Sequence, residues 1–318
     1  MRVYRRKRKT APGMTVLCVI LPLTVTLAVL CFLSASAVHD PVPSESLGAT
    51  GSSAPVSSPS AWIAESPVPA GSVAPEQSAG PSVEPTQTPD ALPYSFGACL
   101  EESEPVTDDS FFDHAVFLGD SRTEGLQLYS GLTHGDFFWR RGMTVFRVDS
   151  EEWTFEIDGE ELTMIEALGK KQYDSVYIMM GVNELGYPVS SYERSLGIFI
   201  DKVITAQPDA VIYLQTMPPV NDQVAKESKL GSYINNENVN AFNKVIIRMA
   251  AEKRVVLLNT AEVFLGADGQ LPADMTSDGC HFKHGSYSLW ADYLRCHIID
   301  PARYHYYRET PNAVEAMN

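Results

Sequence analysis

The chain has 318 residues, of which 44% are apolar, 24 are Lys or Arg, 40 are Asp or Glu and five are Cys. This composition excludes collagen-like and wholly disordered proteins. Six of the cationic residues lie in the first nine positions, so the remainder carries 18 cationic and 40 acidic side chains, a formal net charge of −22. Because no Lys or Arg lies between Lys9 and Arg122, no basic surface is available there to neutralise phosphates. We therefore predict no nucleic-acid partner.

The cysteines suggest neither a disulfide framework nor a metal site. Cys18 and Cys31 lie in an apolar N-terminal segment, and the other three, Cys99, Cys280 and Cys296, are an odd number and widely spaced. The sequence contains no CxxC pattern. No metal is therefore predicted.

The N-terminal 38 residues have the pattern of a membrane anchor. A basic segment, residues 1–12, precedes an uncharged apolar run at 13–33, which as a helix would be about 31 Å long and would cross a bilayer. We predict a transmembrane signal anchor over 13–38, with the basic segment in the cytoplasm and the C-terminal part outside. The alternative is a cleavable signal peptide, since Ala35-Ser36-Ala37 resembles a cleavage site; the protein would then be secreted.

Residues 39–93 are predicted to be a disordered linker. Eleven prolines lie between positions 41 and 93, together with many Ser, Ala and Gly and no cation. Such a segment buries too little apolar surface to offset the entropy of ordering. It is typical of an extended spacer. A glycosylated stalk or a specific Pro-rich ligand are the alternatives.

Residues 94–318 are predicted to form one globular domain. Short apolar runs rich in β-branched residues predict buried strands at 115–118, 176–180, 211–214 and 255–258. Helical spacing is found at 161–168, 192–205, 236–251 and 286–299. This alternation predicts a parallel sheet with helices on both faces. We also expect a small hairpin at 153–161, turning at Asp158-Gly159, and a long loop over the active face at 221–233.

Chemically useful side chains follow the predicted strands. Gly119-Asp120-Ser121 follows the first, Gly181-Val182-Asn183-Glu184 follows the second, and Asp278-Gly279-Cys280-His281 lies near the C-terminus. Ligands of open parallel sheets bind at the carboxyl ends of the strands. A serine becomes an effective nucleophile when an imidazole removes its proton and a carboxylate orients that imidazole. Ser121, His281 and Asp278 could supply these three roles.

These three blocks, in this order, resemble the SGNH or GDSL hydrolase family over about residues 115–294. The resemblance implies a three-layer α/β/α sandwich with a mostly parallel central sheet, of the flavodoxin-like type, and serine esterase activity without a cofactor. It implies that Ser121 is the nucleophile and a backbone donor, that His281 is the base and then the acid, and that Asp278 orients His281. It further implies that Gly142, in Arg141-Gly142-Met143, and Asn183 complete the oxyanion hole.

Two departures from the family pattern are visible. The Asp that usually follows the oxyanion Asn is Glu184, and the small residues after the nucleophile are replaced by Arg122-Thr123. We expect these changes to alter the rim of the substrate pocket, and Asp120 to hold the nucleophile turn. Simpler roles remain open: Ser121 as a helix cap, Gly142 as a turn glycine and Asn183 as an Asx turn. Asp274 and His284 are the local rivals of Asp278 and His281.

From this pattern we expect a membrane-anchored extracellular serine esterase that hydrolyses acyl esters. The anchor and spacer favour O-acetyl groups on cell-envelope glycans as the substrate, so the expected partners are an acylated small molecule or glycan and, through one helix, the membrane. Alternatives within the same chemistry are an O-acyltransferase and a lipid esterase. A non-catalytic glycan-binding module is the alternative from another class.

Overall fold

The computed structural model describes residues 94–310, in which the central element is a five-stranded sheet. The strands of this sheet are β1 (Ala115–Gly119), β2 (Asp136–Trp139), β5 (Ser175–Met179), β6 (Val211–Gln215) and β7 (Val256–Leu258). Their order is β2-β1-β5-β6-β7, and every adjacent pair is parallel. Because all five run the same way, the loops that follow them meet at one edge of the sheet.

Helices cover both faces of this sheet. They are α1 (Ser121–Tyr129), α2 (Met164–Leu168), α3 (Val189–Ala206), α4 (Asp222–Glu227), α5 (Asn236–Lys253), α6 (Tyr287–Arg295) and α7 (Pro301–Glu309). Alternate residues of one strand enter opposite cores, since Val116 and Leu118 pack against α2, α3 and α5 whereas Phe117 packs against α1, α6 and α7. The predicted three-layer α/β arrangement with a parallel central sheet is confirmed.

The predicted strands and helices agree with the structure apart from their ends. The helix predicted at 286–299 ends at Arg295, and the one predicted at 161–168 begins only at Met164, where Thr163 forms a capping box with Glu166. The hairpin predicted around Asp158-Gly159 is present, as β3 (Phe155–Ile157) paired antiparallel with β4 (Glu160–Leu162).

Three elements of the structure differ from the sequence-based prediction. The edge strand β2 was missed. The segment 221–233 was expected to be a long loop, but it contains the short helix α4, whose N-terminus is capped by the side chain of Asn221. Residues 301–309, for which no helix was predicted, form α7, in which Tyr304 and Tyr307 are buried in the core that contains Phe117.

The predicted basic segment 1–12, the transmembrane anchor 13–38 and the linker 39–93 lie outside the described residues. Within residues 94–310, none of the helices has the length and the apolar character needed to cross a bilayer.

Close packing between α1 and α6 depends on Gly125. A Cβ atom added at this glycine would lie 2.0 Å from the ring of Tyr287, which is 3% exposed and cannot move aside. We predict that Gly125→Ala lowers the free energy of unfolding by about 1–3 kcal/mol, as overpacking of a core does. Chemical denaturation measures this change.

The matched control is Gly285→Ala, because an added Cβ there meets no heavy atom within 4 Å. Its free energy of unfolding should change by no more than about 0.5 kcal/mol. Equal stability of the two variants would contradict this account of the α1–α6 contact.

Candidate active site

The site begins at the turn between β1 and α1. Asp120 is the N-cap of α1, and its Oδ1 accepts a hydrogen bond from the backbone N–H of Arg122 at 2.8 Å. Asp120 is buried, and burial raises the pKa of its carboxyl group, although the Arg122 N–H and guanidinium oppose the shift. Ser121 is therefore the first helical residue, and its half-buried side chain lies at the carboxyl edge of the sheet.

The side chains of Ser121, His281 and Asp278 are joined in one hydrogen-bonded chain. Ser121 Oγ lies 2.8 Å from His281 Nε2, and His281 Nδ1 lies 2.7 Å from Asp278 Oδ2. The other carboxylate oxygen, Oδ1, accepts the backbone N–H groups of Cys280 and His281, each at 2.8 Å. The carboxylate is thus held from both sides while the imidazole contacts the serine.

Asp278 is ionised in this arrangement. Partial burial alone would raise its pKa, but the hydrogen bonds from the His281 ring and from the N–H groups of His281 and Cys280 outweigh burial and hold the pKa well below its usual range. An ionised carboxylate can only accept a hydrogen bond. The proton of neutral His281 is therefore on Nδ1, which leaves the Nε2 lone pair directed at the Ser121 hydroxyl.

The turn that carries Asp278 and His281 is supported by α4. Gly279 has a φ of +87°, and a Cβ atom there would lie 2.3 Å from the backbone nitrogen of Ala225. The Asn221 N–H donates to the Gly279 carbonyl at 2.8 Å. Thr276 Oγ1 donates to the His281 carbonyl and accepts the Gly279 N–H. Only glycine fits at position 279, because both the backbone conformation and the contact with α4 exclude a side chain.

Gly142 and Asn183 lie on two loops that contact each other. Asn183 Nδ2 donates to the Met143 carbonyl at 2.9 Å, and a longer contact of 3.4 Å joins it to Asp120 Oδ2. Gly142 has a φ of +77°, as a turn glycine would, and its N–H donates no hydrogen bond within residues 94–310. The N–H of Ser121 is likewise unpaired within this range. Two unpaired backbone N–H groups, those of Ser121 and Gly142, and the side-chain amide of Asn183 therefore lie on the segments that follow β1, β2 and β5.

Arg122, Thr123 and Glu184 are buried, each at most 1% exposed. The prediction that they alter the pocket rim is therefore wrong. Arg122 Nε and Nη2 donate to the Cys280 carbonyl at 3.2 and 3.0 Å, and its Nη1 donates to the Pro218 carbonyl at 3.2 Å. Its guanidinium carbon also lies 5.3 Å from the centroid of the Phe282 ring. The buried guanidinium group therefore has hydrogen-bond acceptors inside the protein, which offset the cost of removing its charge from water.

Glu184 has no cationic partner among the described residues. Its Oε1 accepts the Val145 N–H at 2.6 Å, and its buried Oε2 makes no hydrogen bond. Burial raises the pKa of Glu184 to about 8; the Val145 hydrogen bond acts against this shift and the charge of Asp120 adds to it.

The local rivals of Asp278 and His281 lie outside this hydrogen-bonded chain. Asp274 is exposed, and the ring of His284 stacks on Tyr129 with centroids 3.7 Å apart, so neither takes part in the chain of hydrogen bonds at Ser121. Cys280 is buried, and burial raises the pKa of its thiol. Within residues 94–310 no group of three His, Cys, Asp or Glu side chains could hold a metal ion.

A serine hydroxyl that is hydrogen-bonded to a carboxylate-oriented imidazole can attack an acyl carbon and transfer the acyl group. A hydrolase that acts on acyl groups is the class of protein that this fold and this arrangement define.

Comparison with known proteins agrees with this class. The model of the GDSL-like lipase/acylhydrolase family matches residues 117–288, so the chain belongs to this family and is a carboxylic ester hydrolase. Among solved structures, a GDSL-like lipase from Bacteroides thetaiotaomicron is similar, with 14% identity, a TM-score of 0.43 and coverage of 58% of this chain and 87% of that one. An acetyl xylan esterase is similar with 15% identity, a TM-score of 0.42 and coverage of 57% and 96%. No curated protein sequence matches the chain.

Two residues of the site were not foreseen in their structural roles. Arg122 and Glu184 stand next to the serine and the asparagine of the motifs, but their partners are 158 and 39 positions away in sequence. The available signal was chemical: a charged residue where the family has a small one, and a longer carboxylate where the family has Asp. Neither difference from the family pattern indicates whether the side chain is buried or exposed.

The Arg122 contacts lead to a test of the loop that carries His281. In Arg122→Lys a single ammonium group replaces the planar fork and cannot reach both the Cys280 and the Pro218 carbonyls. We predict a loss of about 2–4 kcal/mol in the free energy of unfolding and a fall of about tenfold or more in ester turnover. Denaturant titration and steady-state kinetics measure the two effects.

Arg248→Lys is the control, because Arg248 pairs with Glu193 on the surface and exposed pairs contribute little. Its stability and turnover should stay close to those of the unchanged protein. An Arg122→Lys protein with unchanged stability would show that the buried fork is dispensable.

Proposed function

We propose that this protein is a serine esterase in which Ser121 is the nucleophile, His281 the general base and acid, and Asp278 the residue that orients His281. The observation that carries this proposal is the unbroken hydrogen-bonded chain from Ser121 Oγ through the imidazole to the ionised Asp278, with distances of 2.8 and 2.7 Å. The alternative in which Ser121 is only a helix cap lacks support, because Asp120 supplies the cap of α1.

In the first half of the reaction, His281 Nε2 takes the proton of Ser121 while Oγ attacks the ester carbonyl carbon. The oxyanion that forms is placed to receive the N–H groups of Ser121 and Gly142 and one N–H of Asn183. Asn183 can provide this N–H by giving up its long contact with Asp120 and keeping the shorter one with Met143. His281 then protonates the departing alcohol, and the acyl group stays on Ser121.

In the second half, water replaces the alcohol. His281 removes a proton from the water, whose oxygen attacks the acyl carbon. The same donors stabilise the second oxyanion, and its collapse returns the proton to Ser121 and releases the acid. Asp278 stays ionised throughout and stabilises the imidazolium form of His281 in both halves.

The exposure of the site favours short acyl groups attached to large alcohols. Gly142 is exposed, Ser121 is half-buried, and 45% of the His281 side chain is accessible, so the reacting groups lie near the surface. A surface site admits an ester displayed on a polymer and offers little enclosure to a long chain. We therefore propose O-acetyl groups on glycans as the substrate.

The membrane anchor predicted from the sequence suggests where the enzyme meets this substrate. A single N-terminal span at 13–38 followed by the spacer 39–93 would hold the enzyme outside the membrane and let it reach the cell envelope. Cell-envelope glycans are thus the acetylated polymers that we propose for this enzyme.

The nucleophile is tested with the full-length protein acting on short-chain and long-chain p-nitrophenyl esters and on acetylated glycan. Ser121→Ala should lower kcat by a factor of about 10⁴ or more, as removal of a nucleophile does in serine hydrolases. Short-chain esters should be hydrolysed faster than long-chain ones, and acetate should be released from the glycan.

Ser190→Ala is the matched control, because Ser190 is exposed at the start of α3 and belongs to none of the three motifs. It should retain full turnover. Comparable activity of the Ser121→Ala and unchanged proteins would refute the proposed nucleophile, and a preference for long-chain esters would refute the proposed substrate.

The proposed orientation is tested by adding protease to intact cells. The domain at 94–318 should be digested, whereas a cytoplasmic marker protein should remain intact, because the positive-inside tendency places the basic segment 1–12 in the cytoplasm. Digestion of the domain only after the cells are lysed would contradict the outward orientation.

A further inference from the structure

Consecutive residues after β5 hold the loop that contains Gly142. Asn183 Nδ2 donates to the Met143 carbonyl at 2.9 Å, and Glu184 Oε1 accepts the Val145 N–H at 2.6 Å. These contacts lie on either side of Thr144, so they fix both ends of a three-residue stretch. Gly142 directly precedes this stretch, so the two contacts hold the C-terminal side of the turn that contains it.

Glu184 is the less expected of the two anchors, because its side chain is completely buried. One carboxyl oxygen has the Val145 N–H, and the other makes no hydrogen bond. A charged carboxylate in such a place would need a cation or several donors. Within residues 94–310 Glu184 has no cationic partner.

The titratable groups that face Glu184 do not favour a negative charge either. Asp120 approaches from the turn after β1, and Tyr192 approaches from α3, where its hydroxyl group donates to the Met180 carbonyl. Neither group carries a positive charge. Burial raises the pKa of Glu184 to about 8, although the Val145 hydrogen bond would favour the ionised form.

We propose that Glu184 is a positioning residue that sets the place of the Gly142 N–H beside Ser121, and that it does so as an uncharged carboxylic acid. This inference rests on the proposed function, because it takes the Gly142 N–H to be an oxyanion donor. When Glu184 ionises, a buried negative charge stands beside the Asp120 carboxyl group with no cation to balance it. The carboxylate then moves toward water, its hold on Val145 is lost, and the loop at 142–145 shifts.

The consequence is a loss of turnover in alkaline solution that is independent of His281. The oxyanion exists only during the reaction, so displacement of one donor should lower kcat and leave KM nearly unchanged. Below about pH 7 Glu184 is protonated and the donor is in place. The fall should therefore begin near pH 8 and approach tenfold for each further pH unit as the ionised fraction grows.

The experiment compares kcat and KM for p-nitrophenyl acetate between pH 6 and pH 9.5, using the full-length protein and the Ser121→Ala protein as the blank. Glu184→Gln keeps an acceptor oxygen for the Val145 N–H and cannot ionise. We expect it to have a kcat within about threefold of the unchanged protein at pH 6.5 and to show no fall near pH 8. Glu184→Met, which has no acceptor oxygen, should lose about 100-fold in kcat at every pH, as an enzyme does when one oxyanion donor is removed.

Glu156→Gln is the control, because Glu156 is exposed on β3. It should keep the alkaline fall of the unchanged protein. The inference is overturned if Glu184→Gln retains that fall, or if Glu184→Met keeps full kcat at pH 6.5. Failure of the proposed function is distinguishable, because it would appear as equal turnover by the unchanged and Ser121→Ala proteins before Glu184 is considered.

Thermal unfolding supplies a second measurement if a Glu184 variant folds poorly. The pKa of Glu184 in the folded protein, about 8, lies above its ordinary value of 4.5. The stabilisation linked to this group is therefore complete below pH 4.5 and is lost as the pH rises through 8. The unchanged protein should lose more thermal stability over this range than Glu184→Gln, and identical losses would overturn the inference.

Discussion

Arg122 makes the contact on which the geometry of the site depends. Arg122 lies in α1, and its guanidinium group donates to the carbonyls of Cys280 and Pro218, which belong to two different loops. One position before it is Ser121, and one position after Cys280 is His281. A single buried group therefore sets the distance between the segment that carries the hydroxyl and the segment that carries the imidazole. Because the acceptors are uncharged, the arrangement also leaves a positive charge beneath the site, close to the buried Asp120.

The loops on the oxyanion side of the site are held by different interactions. There, Asn183 and Glu184 reach neighbouring backbone groups of one loop, and the second of them is a carboxyl group without a counter-ion. The serine side is thus held by a buried cation and the oxyanion side by a buried acid. The two sides meet at Asp120, whose Oδ1 caps α1 while its Oδ2 contacts the amide of Asn183. Hydrogen bonds from side chains to backbone atoms link these loops to their neighbours on both sides of the site.

The sequence predicted most of the fold because the buried strands of a parallel sheet are continuous apolar runs. The strand β2 was not predicted because Asp136-Phe137-Phe138-Trp139 is only four residues long and pairs with β1 alone, at the edge of the sheet. Helix α4 escaped notice because a polar segment of six residues becomes helical through its Asn221 cap and its contact with the turn at Gly279. Both depend on partners distant in sequence.

For the site, the motifs predicted the residues that the structure brings together, and the structure adds the distances between them. Ser121, Asp278 and His281 could be chosen because their chemistry is complementary. The burial of Arg122 and Glu184 could not be predicted, because a charged residue beside a reactive serine or asparagine is equally compatible with an exposed rim. Their hydrogen-bond partners inside the protein are backbone carbonyl and N–H groups. Nearly all residue types carry these groups, so the partners cannot be recognised from the sequence.

This last property of Arg122 has an evolutionary consequence. An ion pair can be exchanged, or lost and restored, by matched substitutions at two positions, and such exchanges leave correlated changes among related sequences. The hydrogen-bond acceptors of Arg122 are main-chain oxygens, which every amino acid provides at positions 218 and 280. Position 122 should therefore have no partner with which it changes in step. A lineage that loses this arginine can recover the geometry only by rebuilding the loops themselves.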